Sequence, residues 1–181
     1  MARIPTLAIE HTDPKTAAAL AGVKRKLGRL PNLFTTLAHA PAALQGYLQL
    51  FEALAGGQLS AAQRELVAIT VAEANACEYC LSAHAAIGRG LGLDDTDIER
   101  ARTAQAADPM DDAMLAFVAA VVRERGGVSD AELAAARAGG LDEARILEVV
   151  ALIGLNLLTN YVNRVAETEV DFPRLALRDA A

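Results

Sequence analysis

Two thiols, an imidazole and a carboxylate carry the chemical information in this chain: Cys77, Cys80, His84 and Glu65. Cys77 and Cys80 are three residues apart, and His84 follows Cys80 by four. At ~100° per residue on a helix, Cys80 and His84 lie about 40° apart and Cys77 about 60° from Cys80, so all three reach one small pocket. A helix N-terminus favours an anion and a neighbouring imidazole can take a thiol proton, and both effects lower a cysteine pKa. The pattern points to a nucleophilic thiolate with a resolving partner. A metal site and a pair of inert buried thiols are the alternatives. Structural zinc needs four ligands, whereas only Cys77, Cys80 and His84 are local and no second Cys pair exists. No His follows Cys80 directly, as haem attachment requires, and no strand-helix-strand pattern surrounds the pair as in a thioredoxin fold.

Glu65 precedes Cys77 by twelve residues, which on one straight helix is ~18 Å of rise and beyond the reach of any side chain. A break near Asn75 changes this. If the chain folds back there, Glu65 and His84 fall level on facing helices, and the order Glu65, His84, Cys80 becomes a proton relay. In that relay the carboxylate orients the imidazole and the imidazole accepts the thiol proton.

The elements that must position these groups read as helices throughout. Of 181 residues, 53% are hydrophobic and 4% aromatic, with no Trp, an alanine-rich composition that suits close helix packing. The expected architecture is all-α, a single domain over 1–181 built as a bundle of about seven to nine helices. An extended lead-in covers 1–13, and Asp13-Pro14 starts the first helix, which runs to about Gly28. Ser60 with Gln63 marks a capping box at the head of the redox core helices, 60–92, which break at Asn75-Ala76-Cys77. A further helix is expected from Asp94 through Ala107. The segment 142–170 is apolar nearly all round and reads as a long buried helix, central or between subunits.

A net charge of −6 gives no basic footprint, so neither nucleic acid nor an anionic membrane is an expected partner. The apolar stretch Val149 to Leu155 is far short of the ~20 residues a bilayer requires, and Met1–Glu10 has no apolar h-region. A cytoplasmic location is expected. His11 and His39 read as surface residues, Glu73 and Glu78 as solvent-facing or helix-dipole groups, and the Tyr47, Phe51, Leu54 stripe as plain core.

The pattern of Glu65, Cys77-x-x-Cys80-x-x-x-His84 and Asn75 closely resembles the core of the AhpD-like alkylhydroperoxidases of the carboxymuconolactone decarboxylase superfamily. Leu30-Pro-Asn-Leu-Phe34, Asn160-Tyr-Val-Asn163 and Asp171-Phe-Pro173 look like its peroxidase-related branch. The resemblance implies an all-α fold, assembly as trimers or hexamers, a peroxidatic Cys80, a resolving Cys77, and a relay of His84 with Glu65. Where such relays often place a histidine between the cysteines, this chain has Tyr79, neutral at pH 7 with an ordinary pKa near ~10. The implied activity is reduction of small organic hydroperoxides through the dithiol, without a bound metal or flavin, with a protein or small thiol as reductant. The alternatives are a decarboxylase-like enzyme acting on a small lactone or carboxylate, and a non-enzymatic redox-sensing oligomer.

Overall fold

Most helix starts in the computed structural model, which describes residues 2–178, are set by local side-chain chemistry. Met1 and residues 179–181 of the expected domain lie outside the described residues. Asp13 accepts from the Lys15 and Thr16 amides ahead of α1 (Pro14–Leu27), and Pro31 and Pro41 introduce α2 (Asn32–Leu37) and α3 (Pro41–Ala55). Reciprocal capping pairs open α4 (Ala61–Ala74) through Ser60 and Gln63, α6 (Asp95–Arg102) through Asp94 and Asp97, and α8 (Asp130–Ala138) through Ser129 and Glu132. Asp108 caps α7 (Pro109–Arg123) and Asp142 caps α9 (Glu143–Ala166). These side chains satisfy amides that a helix start otherwise leaves unpaired. For α5 (Glu78–Gly90) the cap is a thiol, Cys77 Sγ accepting from the Cys80 amide at 3.4 Å.

The bundle is organised around α4, which packs against α5, α6, α7 and α9. Its residues from Leu66 through Ala72 are consecutively buried, with Val67, Ile69, Val71 and Ala72 fully inaccessible. Thr70 survives in this interior because its hydroxyl donates to the Leu66 carbonyl at 3.0 Å and the Ala101 carbonyl at 2.7 Å.

The central helix is therefore α4, which corrects the central placement expected as one alternative for 142–170. α9 ends at Ala166 and buries one face only, through Ile146, Val149, Leu152, Ile153, Leu155, Asn156, Thr159, Asn160 and Asn163. Leu147, Val150, Leu158, Tyr161 and Val165 are exposed on the other. At 24 residues and mean hydropathy 1.4, α9 has the length and composition of a membrane span, but half of its apolar window packs into the bundle.

Helix ends differ from expectation where a residue other than glycine turns left-handed. α6 stops at Arg102 rather than Ala107, since Ala104 adopts φ 57° and the Gln105 amide returns to the Arg100 carbonyl at 3.0 Å. α9 stops because Glu167 adopts φ 48° and the Thr168 amide returns to the Asn163 carbonyl at 3.1 Å. The lead-in is not wholly extended, as one 3-10 turn, Ile9–His11, interrupts it.

The expected break between α4 and α5 is a reversal of this kind. Ala76 has φ 50°, and the Cys77 amide donates to the Ala72 carbonyl at 2.9 Å, closing α4 and starting α5 within the three residues Asn75, Ala76 and Cys77. Glycine fits that conformation without the Cβ penalty. Ala76→Gly should raise stability by about 1 kcal/mol in urea unfolding, with unchanged helicity by circular dichroism, while Ala76→Val should lower it.

Candidate active site

The reversal lays α5 against α4 in antiparallel order, and Glu65 meets His84: Nδ1 of the imidazole lies 2.8 Å from Glu65 Oε2, both side chains mostly buried. Gly88, one turn beyond His84, leaves room for Leu93, whose Cδ1 would lie 2.9 Å from a Cβ placed there. Burial disfavours the charged imidazole, but the Glu65 charge and hydrogen bond outweigh it and hold the His84 pKa above the ordinary value.

Both cysteines are free and buried. Cys77 Sγ donates to Cys80 Sγ at 2.8 Å, and Asn163 Nδ2 from α9 donates to the same sulfur at 3.2 Å. Burial alone would raise the Cys80 pKa, yet the bonds from Cys77 and Asn163, with Asn160 and Thr159 beside them, bring it below the ordinary thiol value. Cys77 is pushed far up, first because its proton is given to Cys80 and then by burial. The two thiols thus divide into the more acidic one, Cys80, and its hydrogen-bond donor, Cys77.

The expected pairing of Glu65 with His84 is present, and the groups around the Cys80 sulfur are of another kind. Among the described residues His84 is bonded to Glu65 and to neither thiol, and the side-chain hydrogen bonds that reach the Cys80 sulfur come from Cys77 and Asn163. Asn160 and Asn163, fully and nearly fully buried, are the functional candidates that the reading of Cys, His and Glu passed over. Their spacing of three on an apolar helix was the available signal.

Cys80, His84 and Glu65 border a cavity of about 360 Å³ whose walls are mostly apolar. Tyr47, Leu48 and Phe51 of α3 form part of that wall, so two residues of the stripe assigned to plain core, Tyr47 and Phe51, line the site, while Leu54 does not. Phe34 and Phe51 both meet the Tyr47 ring, in edge and stacked geometry. One further expectation changes, and one holds. Glu73 is not solvent-facing: it pairs with Arg102 at 2.6 Å and accepts from the Arg178 amide at 2.8 Å. Glu78 sits in the first turn of α5 and pairs with Arg174. His39 is exposed, 2.9 Å from the Pro5 carbonyl, and His11 is exposed as expected.

Tyr79 is buried and wired to the C-terminal segment. Its hydroxyl donates to Asp171 Oδ1 at 2.8 Å and accepts from the Leu33 amide at 3.1 Å, and burial keeps it a neutral phenol. Arg29 pairs with Asp171 at 2.7 Å and covers the Phe172 ring, which packs edge-on to Tyr79. The phenol at the relay position anchors the segment that closes one side of the site.

Two titrations check this electrostatic arrangement. The rate of Cys80 alkylation by iodoacetamide should rise with a midpoint below that of a free thiol, ~8.5, and Asn163→Ala should move it upward. By NMR, His84 should titrate above ~6.5, and Glu65→Gln should lower that midpoint.

Residues 41–123 match the carboxymuconolactone decarboxylase family. No curated protein matches the chain. Among solved structures, it is similar to the alkylhydroperoxidase AhpD core, peroxidase-related protein from Ralstonia eutropha JMP134, at TM-score 0.85 and 25% identity over 94% of this chain and 92% of that one. A peroxidase-related protein from Silicibacter sp. TM1040 gives TM-score 0.78 and 25% identity over 96% and 93%. The debrominase Bmp8, solved with 2,3,4-tribromopyrrole in a Cys-to-Ala variant, shares the fold at TM-score 0.79 and 19% identity over 93% and 91%. The all-helical architecture, the matched segment spanning the dithiol and these likenesses agree, and together they support the AhpD-like/carboxymuconolactone decarboxylase superfamily.

Proposed function

We propose that the chain is a thiol-dependent peroxidase that reduces small organic hydroperoxides through Cys80 and Cys77. The observation that carries this reading is the placement of Cys80 on an apolar cavity, with a second thiol 2.8 Å behind it and His84 paired to Glu65 at the same cavity. The Cys80 thiolate attacks the terminal peroxide oxygen, the O–O bond breaks, and the His84 imidazolium supplies the proton that leaves with the alkoxide as alcohol. Cys80 is then a sulfenic acid. Cys77 sulfur attacks it, water leaves, and the disulfide forms before further oxidation. Two thiol equivalents from a reductant reopen it. Glu65 and His84 thus act on the leaving group, and the α9 amides on the nucleophile.

The test is a single turnover of reduced protein with one equivalent of cumene hydroperoxide, followed by thiol titration and intact mass. Wild type should lose both thiols, Cys77→Ser should trap a sulfenic acid, and Cys80→Ser should slow peroxide consumption by roughly 10²-fold or more. Loss at the rate of free cysteine would overturn the proposal. Full lactone turnover by Cys77→Ala would favour the decarboxylase-like reading instead. The apolar lining predicts faster turnover of cumene hydroperoxide than of hydrogen peroxide, an order that Phe51→Glu should compress.

We also propose that copies of the chain associate through the exposed face of α9, as a trimer or hexamer. Leu147, Val150, Leu158, Tyr161 and Val165 form an apolar stripe at helical spacing, and Gly154 within it has open space where a Cβ would stand. A stripe of this kind on one 24-residue helix is what an interface between copies buries. By light scattering at micromolar concentration, wild type should exceed 19.0 kDa by an integer factor. Val165→Glu combined with Leu158→Glu should return the monomer with its helicity intact.

A further inference from the structure

A second cavity, of about 530 Å³, reaches the dithiol from the Cys77 side, between the start of α5, the end of α9 and the segment that follows it. Cys77 lines it and Cys80 does not, whereas Cys80 lines the apolar cavity and Cys77 does not. Its character is the opposite of the first, with Arg3, Arg164 and Arg174 around it. Arg3 is paired with Glu167 at 2.9 Å and Arg174 with Glu78. Arg164 pairs with no carboxylate among the described residues and donates to the Asn75 carbonyl at 2.9 Å.

Two buried polar atoms on its lining have no partner. Asn163 Oδ1 is an unpaired acceptor, its amide nitrogen being committed to Cys80, and Thr168 Oγ1 is an unpaired hydroxyl. Asn163 is 3% exposed and Thr168 8%. Buried polar groups of this kind are ordinarily satisfied, and an unpaired acceptor and hydroxyl in the wall of a cavity leave hydrogen-bonding capacity that a ligand with polar groups of its own would complement.

We propose that this cavity binds the reductant, a small anionic thiol carrying carboxylate and amide groups, and delivers it to Cys77. Its carboxylate meets Arg164 and the Thr168 hydroxyl, and its amide N–H meets Asn163 Oδ1. The proposal deepens the peroxidase reading and rests on it for the origin of the disulfide. The thiolate attacks Cys77 sulfur, the Cys77–Cys80 bond breaks, and Cys80 leaves as a thiolate still held by Asn163. A second thiolate then attacks the ligand sulfur of the mixed disulfide and releases Cys77, which takes up a proton. Two small thiols are oxidised to their disulfide and one protein disulfide is reduced. Attack on Cys77 is the favourable direction, since the sulfur with the lower pKa leaves faster.

The experiment starts from protein oxidised with diamide, so that the disulfide does not depend on peroxide chemistry. Its reduction is followed with glutathione, 2-mercaptoethanol and cysteamine, an anionic, a neutral and a cationic thiol, at equal thiolate concentration. Glutathione should react about tenfold faster than cysteamine, and 0.5 M salt should shrink that ratio. Arg164→Gln should bring it near unity, while dithiothreitol, a neutral dithiol, reports that the variant is folded and its disulfide competent. A ratio near unity in wild type, or one that Arg164→Gln leaves unchanged, would overturn the proposal. Charge-selective reduction in a protein that ignores cumene hydroperoxide would sink the peroxidase reading alone, and the converse result would sink this one alone.

Discussion

The site depends on a reversal of the chain within three residues, Asn75, Ala76 and Cys77. A continuous helix would carry Glu65 and His84 nearly thirty ångströms apart, at ~1.5 Å per residue over their nineteen-residue separation, and no charge pair could form. The left-handed turn at Ala76 instead stacks α5 on α4, and the pair closes at 2.8 Å. The same turn leaves Cys77 as the first residue outside α5, so that its sulfur caps the helix and faces Cys80. One backbone conformation thus creates both the ion pair and the dithiol geometry.

A buried thiolate is costly unless its lone pairs are met by donors. Here the donors come from a distant segment: Asn163 bonds Cys80 and Asn160 lies beside it, both on α9. Asn160 is held in turn by Asn75, whose amide donates to its carbonyl oxygen at 3.2 Å, and Asn75 closes α4. The reversal and the thiolate cradle are therefore one connected polar network inside an apolar bundle. Such networks are strong when fully satisfied and expensive when broken, which ties the position of α9 to the charge on Cys80. The exposed side of the same helix is apolar, so α9 serves the site through one face and offers a surface for association through the other.

The C-terminal segment forms a further wall. Asp171 joins Tyr79, Arg29 and the Asn32 amide, and Ser82 exchanges hydrogen bonds with the backbone of Leu175. A phenol buried beside a carboxylate stays neutral and cannot relay protons as a histidine would. Its hydroxyl instead binds two chain segments to the start of α5. With that wall in place, the dithiol lies between an apolar cavity at Cys80 and a charged one at Cys77, an asymmetry suited to a substrate and a reductant of different chemistry.

Local side chains determined much of this structure. Ser60, Asp94, Asp108, Ser129 and Asp142 each open a helix through their own side chains, so the all-helical class and most helix starts were legible. The spacing of Cys77, Cys80 and His84 likewise follows from helical periodicity. Helix ends at Ala104 and Glu167 were not legible, because neither is a glycine and the left-handed turn is held by returning backbone bonds. Nor was the division of labour around the thiols, since whether an imidazole or an amide reaches a sulfur depends on where α9 crosses α5. Apolar content alone nominated α9 as the buried centre, but burial depends on neighbours: α4 is enclosed by four helices, while α9 is covered on one face. The sequence by itself therefore determined the helices and the reactive pair, through interactions within a few residues. Only the tertiary structure decided which sulfur is the more acidic and which cavity each one meets, because the Asn163 amide that reaches Cys80 and the cavity walls come from helices distant in the sequence.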